Sequence, residues 1–491
     1  MLKKRRLKRC EQAMAEAQTY AEWAEIAAEH DQLSGAEEWR ETPASDEFDF
    51  RLIQSRVQLL RRLRRKGDLE GLMYYLREEL HGNLGNMANP VLYHRSLLGT
   101  KQIIHDFLDE VDGALTDLCD ADESRLPRTA KLRFFDRASG SFGRSALMLS
   151  GGATLGLFHL GVIRELWEQQ LLPWVVSGSS AGSVIAGVLG THTDDELEAV
   201  FNPNHMDMMW SRLTGFRQLV RGEGMLDIRA LRTSIDRNIP RMTFEEAFAR
   251  TGRRINISVS PADPNQFPRL LNYLTAPHVW VGRAALASSA IPGLFPPVVL
   301  YAKDRDGNSV KYMPKSRWID GSVHNDVPKR HIGRMHNVNH FIVSQTNPHV
   351  VPFLNEELDG RGILPFARQL LIRGPLVQIE TVLELAQRHL NVPGLDRLIK
   401  SAHAISSQPY RGDVTIYPSR QVSDWLSTLA NPTPELLRKL VLDGRRAVWP
   451  RLAHIRNTTC ISRRFDACRS KIGRRSEVPR NLAQVPRKTA P

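Results

Sequence analysis

The first 140 residues carry a helical hydrophobic pattern. Apolar residues recur there every three or four positions, which is typical of amphipathic helices. Gly67 predicts the end of one helix, and Asp68 predicts the N-cap of the next, over residues 69–80. Glycines, asparagines and a proline at residues 82–90 indicate a loop. The clearest helical set is Leu52, Ile53, Val57, Leu60 and Leu63.

The pattern changes near residue 144. A short apolar run at residues 146–149 precedes a helical stretch at 156–170, and a second run at 174–176 precedes another at 181–189. Strands that alternate with helices favour a mainly parallel sheet that helices cover on both faces. Further strands are predicted over residues 255–259, 317–319, 341–344 and 414–417. Helices return after Pro348, with an apolar stripe at Leu376, Ile379, Leu383, Ala386 and Leu390.

Length and charge refine this organisation. With 491 residues, 42% of them hydrophobic, the chain is long enough for about three folding units and too apolar to be disordered throughout. The net charge of +13 is concentrated at the ends, where residues 1–10 carry +6 and residues 451–491 carry +9. The predicted divisions are a basic N-terminus with a helical region (1–143), an α/β core (144–347), a mostly helical extension (348–450) and a basic flexible tail (451–491).

Two long apolar stretches raise the question of whether the chain crosses a membrane. Residues 145–163 and 171–191 are long and uncharged, but they are rich in Gly and Ser and broken by turn signals, so they predict buried strand–turn–helix units instead of membrane spans. The basic start is not followed by the apolar run of a signal peptide. Four cysteines in so long a chain do not indicate a disulfide framework. We therefore expect a cytoplasmic protein, peripheral on a membrane or lipid surface.

The sharpest chemical signal is a Gly-x-Ser-x-Gly motif between a predicted strand and a predicted helix. Its residues are Gly178, Ser179, Ser180, Ala181 and Gly182. The flanking glycines let the backbone turn sharply, and Ser180 then lies at a helix N-terminus, where unpaired N–H groups favour developing negative charge. A nucleophile elbow is therefore predicted, with a simple tight turn as the alternative.

A second strand-to-helix turn is rich in glycine. Residues 150–156 read Ser-Gly-Gly-Ala-Thr-Leu-Gly and end at Gly156. A dinucleotide site would need a further glycine and a later acid, and a Walker loop would need Gly-Lys-Ser/Thr, so neither fits. The N–H groups of Gly151, Gly152 and Ala153 are candidates for an oxyanion hole. Close packing of the strand on the helix is the alternative.

A candidate base is an acid that ends a short apolar run, with a common Asp-Gly turn as the alternative. Asp320 follows Trp318 and Ile319 and precedes Gly321, so it could lie at the same edge of the sheet as the serine. Burial next to apolar walls such as Phe295 would raise its pKa toward the range of a useful base. The sixteen histidines offer no unambiguous partner for the serine, and their spacing does not predict a metal site.

Together these motifs resemble the patatin-like phospholipase family. The resemblance covers residues 145–347 and includes the run Ala-Ser-Ser-Ala-Ile-Pro-Gly-Leu-Phe-Pro-Pro at 287–297. The N-terminal region, with its loop at residues 82–90, resembles the helical segment before the core in yeast-type triacylglycerol lipases. The resemblance implies a three-layer α/β/α core and a Ser–Asp dyad without histidine, with Ser180 as nucleophile and Asp320 as base.

Three positions depart from the family pattern. Ala153 replaces the usual third glycine, and Leu155 replaces a cation of the plant-type members. The loss of that cation favours neutral acylglycerols over phospholipids. Ser322 stands where the acid motif usually has Gly or Ala, which is a small change.

The expected function is a serine acyl hydrolase, a lipase or phospholipase of lipid catabolism, that forms an acyl-enzyme. A transacylase with the same serine and a catalytically inactive lipid-binding protein are the alternatives. No cofactor and no metal is expected. The lipid substrate is expected at a membrane or lipid-droplet surface, where the basic ends would contact anionic lipid. Nucleic acid is not an expected partner, because neither basic segment interleaves aromatic residues. An apolar lip for acyl chains is a candidate role, with ordinary core as the alternative, for Met206, Met208, Met209 and Trp210.

Overall fold

The structure is a computed structural model that describes residues 2–201, 226–263, 266–292, 294–348, 350–351, 410–418 and 431–474. The predicted methionine lip at residues 206–210 and the apolar stripe at 376–390 lie outside the described residues. The chain divides into two compact units, Met1–Leu33 with Ser145–Ile455, and Ser34–Arg144 with Arg456–Pro491. This division departs from the predicted one, because the first 33 residues belong to the unit of the core and the end of the chain belongs to the helical unit.

Nine strands are found in the described part of the chain. They are β1 (Arg144–Leu149), β2 (Val175–Gly178), β3 (Arg254–Pro261), β4 (Arg269–Leu271), β5 (Leu300–Lys303), β6 (Ser309–Tyr312), β7 (Trp318–Asp320), β8 (Val338–Ser344) and β9 (Val414–Ile416). The sequence analysis did not predict β4 or the β5–β6 hairpin, which are short strands without a long apolar run.

The described helices are α1 (Leu2–Glu16), α2 (Tyr20–Ser34), α3 (Ala36–Glu41), α4 (Phe50–Lys66), α5 (Leu69–Glu78), α6 (Val91–His94), α7 (Gln102–Asp120), α8 (Arg128–Phe142), α9 (Phe158–Glu168), α10 (Ala181–Thr191), α11 (Asp194–Val200), α12 (Ile228–Asn238), α13 (Phe244–Thr251), α14 (Val281–Ser288), α15 (Ser322–Asn325), α16 (Lys329–His336), α17 (Pro434–Val448) and α18 (Leu452–Arg474). Short 3₁₀ turns occur at Leu84–Asn86, Ala153–Leu157 and Trp449–Arg451.

The sheet of the first unit is mainly parallel, as predicted. Its order is β4-β3-β2-β1-β8-β9, with β7 as an additional partner of β3. The pairs β1/β2, β2/β3 and β8/β9 are parallel, whereas β4 and β7 both run antiparallel to β3.

Alternate residues of the strands enter two apolar layers, since successive side chains of a strand point to opposite faces. Ile255, Ile257 and Val259 of β3 pack with buried residues of α10, α12, α13 and α14. Ala146 and Met148 of β1 belong to a second cluster, which includes Ile332 of α16. The core therefore has the predicted three-layer α/β/α architecture.

The pairing of β2 and β7 with one edge of β3 brings residues 178 and 320 close together. Gly178 at the end of β2 pairs with Ile257, and Val259 pairs with Arg269 of β4 and with Asp320 of β7. A strand residue has one neighbour on each side, so β7 occupies the same edge of β3 as β2, just beyond the point where β2 ends. Residues 178 and 320 therefore pair with β3 at positions only two residues apart.

Two glycines let α9 and α17 pack backbone to backbone. A Cβ on Gly161 would lie 1.9 Å from Val441 O, and a Cβ on Gly444 would lie 2.2 Å from Phe158 O. Beside this crossing, Arg445 Nε donates to the fully buried Glu165 Oε2 at 2.9 Å. Since α9 directly follows the glycine-rich turn, the packing of α17 on α9 also supports that turn.

The second unit is helical, and its local signals match the sequence. Gly67 ends α4 in the left-handed conformation (φ 60°), and the Asp68 carboxylate accepts from Gly71 N–H at 2.9 Å to cap α5. Arg64 of α4 donates to Asp117 and Glu110 of α7, each at 2.8 Å.

The prediction of a flexible tail from residue 451 is wrong for the described part of that stretch, since residues 452–474 form α18. The polar composition of this stretch made its sparse apolar stripe difficult to recognise. Several of its basic residues also form ion pairs with acidic residues. Arg464 donates to both carboxylate oxygens of Asp112 at 2.6 and 2.7 Å. The stripe is Ile461, Phe465, Cys468 and Ile472, all buried. Among the described residues, no helix is both long enough and apolar enough to cross a membrane.

Candidate active site

The predicted elbow is present, and its serine has a strained backbone. Ser180 follows β2, directly precedes α10 and has φ 51° and ψ −126°. Non-glycine residues rarely adopt this conformation, which costs about 1–3 kcal/mol and persists only where the surroundings enforce it. The side chain does not cap its own helix. The hydroxyl is therefore left for other partners.

The flanking glycines allow close backbone approach at the elbow. A Cβ on Gly178 would lie 2.2 Å from Gly182 O, and a Cβ on Gly182 would lie 2.3 Å from Leu149 O. Gly156 meets the elbow in the same way, because its Cβ would lie 2.4 Å from the Cβ of Ala181. Any larger residue at these positions would push the glycine-rich turn and the elbow apart.

The glycine-rich turn lies beside the nucleophile. A Cβ on Gly151 would come within 3.2 Å of the Ser180 Cβ. Its N–H group, however, donates to Asp326 Oδ1 at 2.8 Å, so Gly151 differs from the other two predicted oxyanion donors. Within the described residues, no group accepts a hydrogen bond from the N–H of Gly152 or Ala153.

Ala153 has φ 48°, which places it in the left-handed region that favours glycine. This is the position where the sequence departs from the family's third glycine. The departure therefore adds strain to the turn.

The predicted base is buried and has a raised pKa. Asp320 is 1% exposed, and burial raises the pKa of its carboxyl to about 6 against the opposing effect of hydrogen bonds from Ser180 and Ser322. Both the N–H and the hydroxyl of Ser322 donate to Asp320 Oδ1 at 2.8 Å. Ser322 is thus more than a tolerated change, because its hydroxyl holds one oxygen of the base.

The structure brings Ser180 and Asp320 together. The Ser180 side chain is close enough to the Asp320 carboxyl to lower its pKa. Asp320 Oδ2 has no hydrogen-bond partner within the described residues. This is common in ligand-free sites, where catalytic hydrogen bonds align only when substrate binds.

A second buried carboxyl was not found from the sequence. Asp326 is 2% exposed, and burial together with the nearby charge of Asp320 raises its pKa to about 7. Besides Gly151 N–H, it accepts from Asn347 Nδ2 at 2.6 Å. The only signal in the sequence is an acid six residues after Asp320. Asp326 therefore holds the glycine-rich turn through the N–H of Gly151.

His159 is a packed core residue. It is fully buried, with Nδ1 2.7 Å from Ser344 Oγ and Nε2 3.0 Å from Ser150 O. Burial lowers its pKa to about 4, which keeps the ring neutral. Thr346 completes the support, because its hydroxyl donates to Gly151 O at 2.9 Å. Residues after β8 therefore clamp the turn that carries the candidate oxyanion donors.

A mainly apolar pocket opens onto the serine. Its empty space is about 690 Å³, including the open mouth. Ser180, Ala153 and Ala181 lie at one side of it. The apolar wall includes Leu157, Val184, Ile185, Leu231, Ile235 and Phe295. The α12 residues of this wall were not predicted from the sequence.

Comparison with known proteins is consistent with this geometry. The family model "Patatin-like phospholipase" matches residues 147–330, and "Domain of unknown function (DUF3336)" matches residues 1–140. Triacylglycerol lipase SDP1L of Arabidopsis thaliana is 36% identical over 93% of this chain and 57% of that protein. Triacylglycerol lipase 4 of Saccharomyces cerevisiae is 34% identical over 90% of this chain and 50% of that protein.

Triacylglycerol lipase ptl3 of Schizosaccharomyces pombe is 31% identical over 94% of this chain and 98% of that protein. The chain thus spans about half the length of the plant and budding-yeast relatives and nearly all of the fission-yeast one. Among solved structures, VipD from Legionella pneumophila matches at 13% identity with a TM-score of 0.32, over 64% of this chain and 67% of that chain.

Replacing Ala153 with glycine should stabilise the protein. Glycine adopts φ 48° without steric strain, and relief of a left-handed non-glycine residue is worth about 1 kcal/mol. Ala153→Gly should raise the free energy of unfolding in urea titrations. Ala21→Gly, at an exposed position of α2, is the control and should lower it by about 1 kcal/mol. Equal destabilisation by both would contradict the assignment of strain to Ala153.

Proposed function

Because the chain belongs to the patatin-like phospholipase family, we propose that it is a serine acyl hydrolase of lipid esters. The observation that carries this proposal is a strained serine beside a desolvated carboxyl at the mouth of an apolar pocket. Three relatives named as triacylglycerol lipases support lipid ester hydrolysis as the reaction.

Acylation starts with proton transfer from Ser180 Oγ to the Asp320 carboxylate. The serine oxygen attacks the ester carbonyl, and the N–H groups of Gly152 and Ala153 donate to the oxyanion. When the tetrahedral intermediate collapses, the proton on Asp320 passes to the leaving alcohol and the acyl group stays on Ser180. Asp320 then takes a proton from water, which attacks the acyl-enzyme. When this second tetrahedral intermediate collapses, the proton returns from Asp320 to Ser180 Oγ and the fatty acid is released.

The substrate we favour is a neutral acylglycerol. The pocket wall is built from aliphatic side chains and Phe295, which suits an acyl chain. Leu155, in place of the cation of plant-type members, is buried at 6% exposure, so it offers no charge to a phosphate headgroup. A transacylase would use the same acyl-enzyme and differ only in the acceptor, an alcohol in place of water.

A lipid surface is the expected place of reaction, and α1 is the described segment best suited to reach it. Lys3, Lys4 and Lys8 are exposed on this helix, and each cation can contribute about 1 kcal/mol at an anionic membrane. The basic residues of α18 suit this role less well, because Arg464 and Arg469 are paired with Asp112 and Asp136.

A lipid panel with wild type and Ser180→Ala tests the proposed reaction. We expect wild type to release fatty acid from triacylglycerol faster than from phospholipid or lysophospholipid, and Ser180→Ala to lose about 10⁴-fold or more in turnover. Adding a lysolipid or diacylglycerol acceptor separates hydrolysis from acyl transfer by the products formed. Unchanged turnover in the folded variant would exclude Ser180 as the nucleophile.

The activity should depend on pH through Asp320. The base must be ionised, and burial raises its pKa to about 6, so kcat/KM should fall tenfold per pH unit below about pH 6 and level off above it. Asp320→Asn should remove this limb together with most activity, whereas Asp306→Asn, on an exposed loop, should leave it in place. Asp326→Asn should keep the limb near pH 6. Its disappearance in that variant would assign the titration to Asp326.

Flotation with anionic vesicles tests the role of α1. Replacing Lys3, Lys4 and Lys8 with glutamine should weaken vesicle binding at least tenfold, because about 1 kcal/mol is lost per cation. The matched control replaces Arg62, Arg65 and Lys66, exposed residues of α4, and should bind as wild type does. Equal binding by all three proteins, or binding that does not weaken in high salt, would remove α1 as the contact.

A further inference from the structure

The backbone of the nucleophile is held by hydroxyl groups on both sides. Ser180 N–H donates to Ser288 Oγ at 3.0 Å. Ser180 O accepts from Ser183 Oγ at 2.6 Å and from Ser289 Oγ at 3.2 Å. The peptide groups on both sides of the strained residue are therefore bonded to side chains, and two of the three hydroxyls belong to the turn that ends α14.

The same turn also holds the base. Asp320 N–H donates to Ala290 O at 2.9 Å, and Gly321 N–H donates to Ser288 O at 3.4 Å. Ser288 thus touches the nucleophile through its side chain and the segment of the base through its carbonyl. Residues 288–290 are therefore bonded both to the nucleophile and to the segment of the base.

The turn is buried and closely packed. Ser288 is fully buried, and the helix that leads to it packs on α10 through small buried residues, including Ala284, Ala285 and Ala287. Gly187 of α10 fits against the same helix, because its Cβ would lie 3.3 Å from Val281 Cγ1. Because these residues are closely packed, the turn can set the distance between Ser180 and Asp320, the two residues that it joins.

We propose that Ser288 is a positioning residue that holds Ser180 in its strained conformation and, through its own turn, sets the separation between the nucleophile and Asp320. Ser288 does not line the pocket, in contrast to Ser289, so its hydroxyl acts on the reaction only through the backbone of Ser180. This role rests on the proposed dyad.

The chemistry of the contact explains why a hydroxyl is needed. Ser180 N–H is a buried donor, and Ser288 Oγ is its acceptor. Alanine at position 288 would leave that donor unsatisfied, and the elbow would relax to recover a hydrogen bond. The serine oxygen would then move relative to the carboxylate, and a displacement of about 1 Å can cost about 100-fold in rate.

The test compares Ser288→Ala with wild type by the rate of covalent labelling with a fluorophosphonate, which needs no lipid. We expect labelling and kcat to fall about 10- to 100-fold per folded molecule, with KM changed less than about twofold. The acid limb of the pH profile should move to higher pH, because the Ser180 hydroxyl normally lowers the pKa of Asp320. A merely structural role would reduce the folded fraction and leave this limb in place.

Two further variants complete the design. Ser288→Thr keeps an acceptor oxygen and should recover most of the labelling rate. Ser260→Ala removes a fully buried hydroxyl of β3, one without a hydrogen-bond partner in the described chain, and should label as wild type does. Thermal unfolding of each variant gives the folded fraction used to scale the rates.

The outcomes separate this inference from the function it rests on. If wild type and Ser180→Ala both fail to label, the proposed nucleophile is wrong. If wild type labels and Ser288→Ala labels equally fast with an unmoved acid limb, the dyad stands and the positioning role of Ser288 is wrong. Equal losses in Ser288→Ala and Ser260→Ala would also overturn it.

Discussion

The structure of the site depends on the shared edge of β3. This strand pairs with β2 until Gly178 and, two residues further along, with β7 at Asp320. Because β2 ends there, β7 can pair with the same edge of β3. The elbow that follows β2 therefore lies beside Asp320 at the end of β7. Two groups that are 140 positions apart in sequence therefore meet by the register of one strand, and the turn at residues 288–290 is bonded to both.

Dense backbone packing around this edge has an energetic consequence. The glycines at 151, 156, 178 and 182 let the glycine-rich turn, the elbow and the end of β1 approach closely enough to exclude water from the carboxyls. That exclusion raises the pKa of Asp320 and Asp326, and the strain at Ala153 and Ser180 is held by the same contacts. Since buried charge and strained backbone both oppose folding, the apolar layers on the two faces of the sheet must supply the stability that offsets them.

The helical unit shows how polar composition can conceal packing. Residues 451–474 look like a solvated tail because Arg and Lys dominate, yet α18 buries one residue in every three or four and pairs its cations with Asp112, Asp120 and Asp136. Those acids lie more than 330 positions earlier in the chain, so nothing local in the sequence indicates the pairing. Charge at a chain end is thus evidence for a lipid or nucleic-acid partner only where the charge is not paired within the protein. The exposed lysines of α1 fit this condition better than the paired cations of α18.

The sequence by itself determined the elements that local chemistry controls. The Gly-x-Ser-x-Gly elbow, the glycine-rich turn, the strand that ends at Asp320 and the helix boundary at Gly67 were all evident, because each depends on residues within a few positions of one another. Only the tertiary structure decided that β7 runs antiparallel on the β2 edge, that Asp326 takes the N–H of Gly151, and that Ser288 lies between the two dyad residues. These are contacts between residues that lie far apart in the sequence, and they follow from strand register and from which polar groups must find partners once water is excluded.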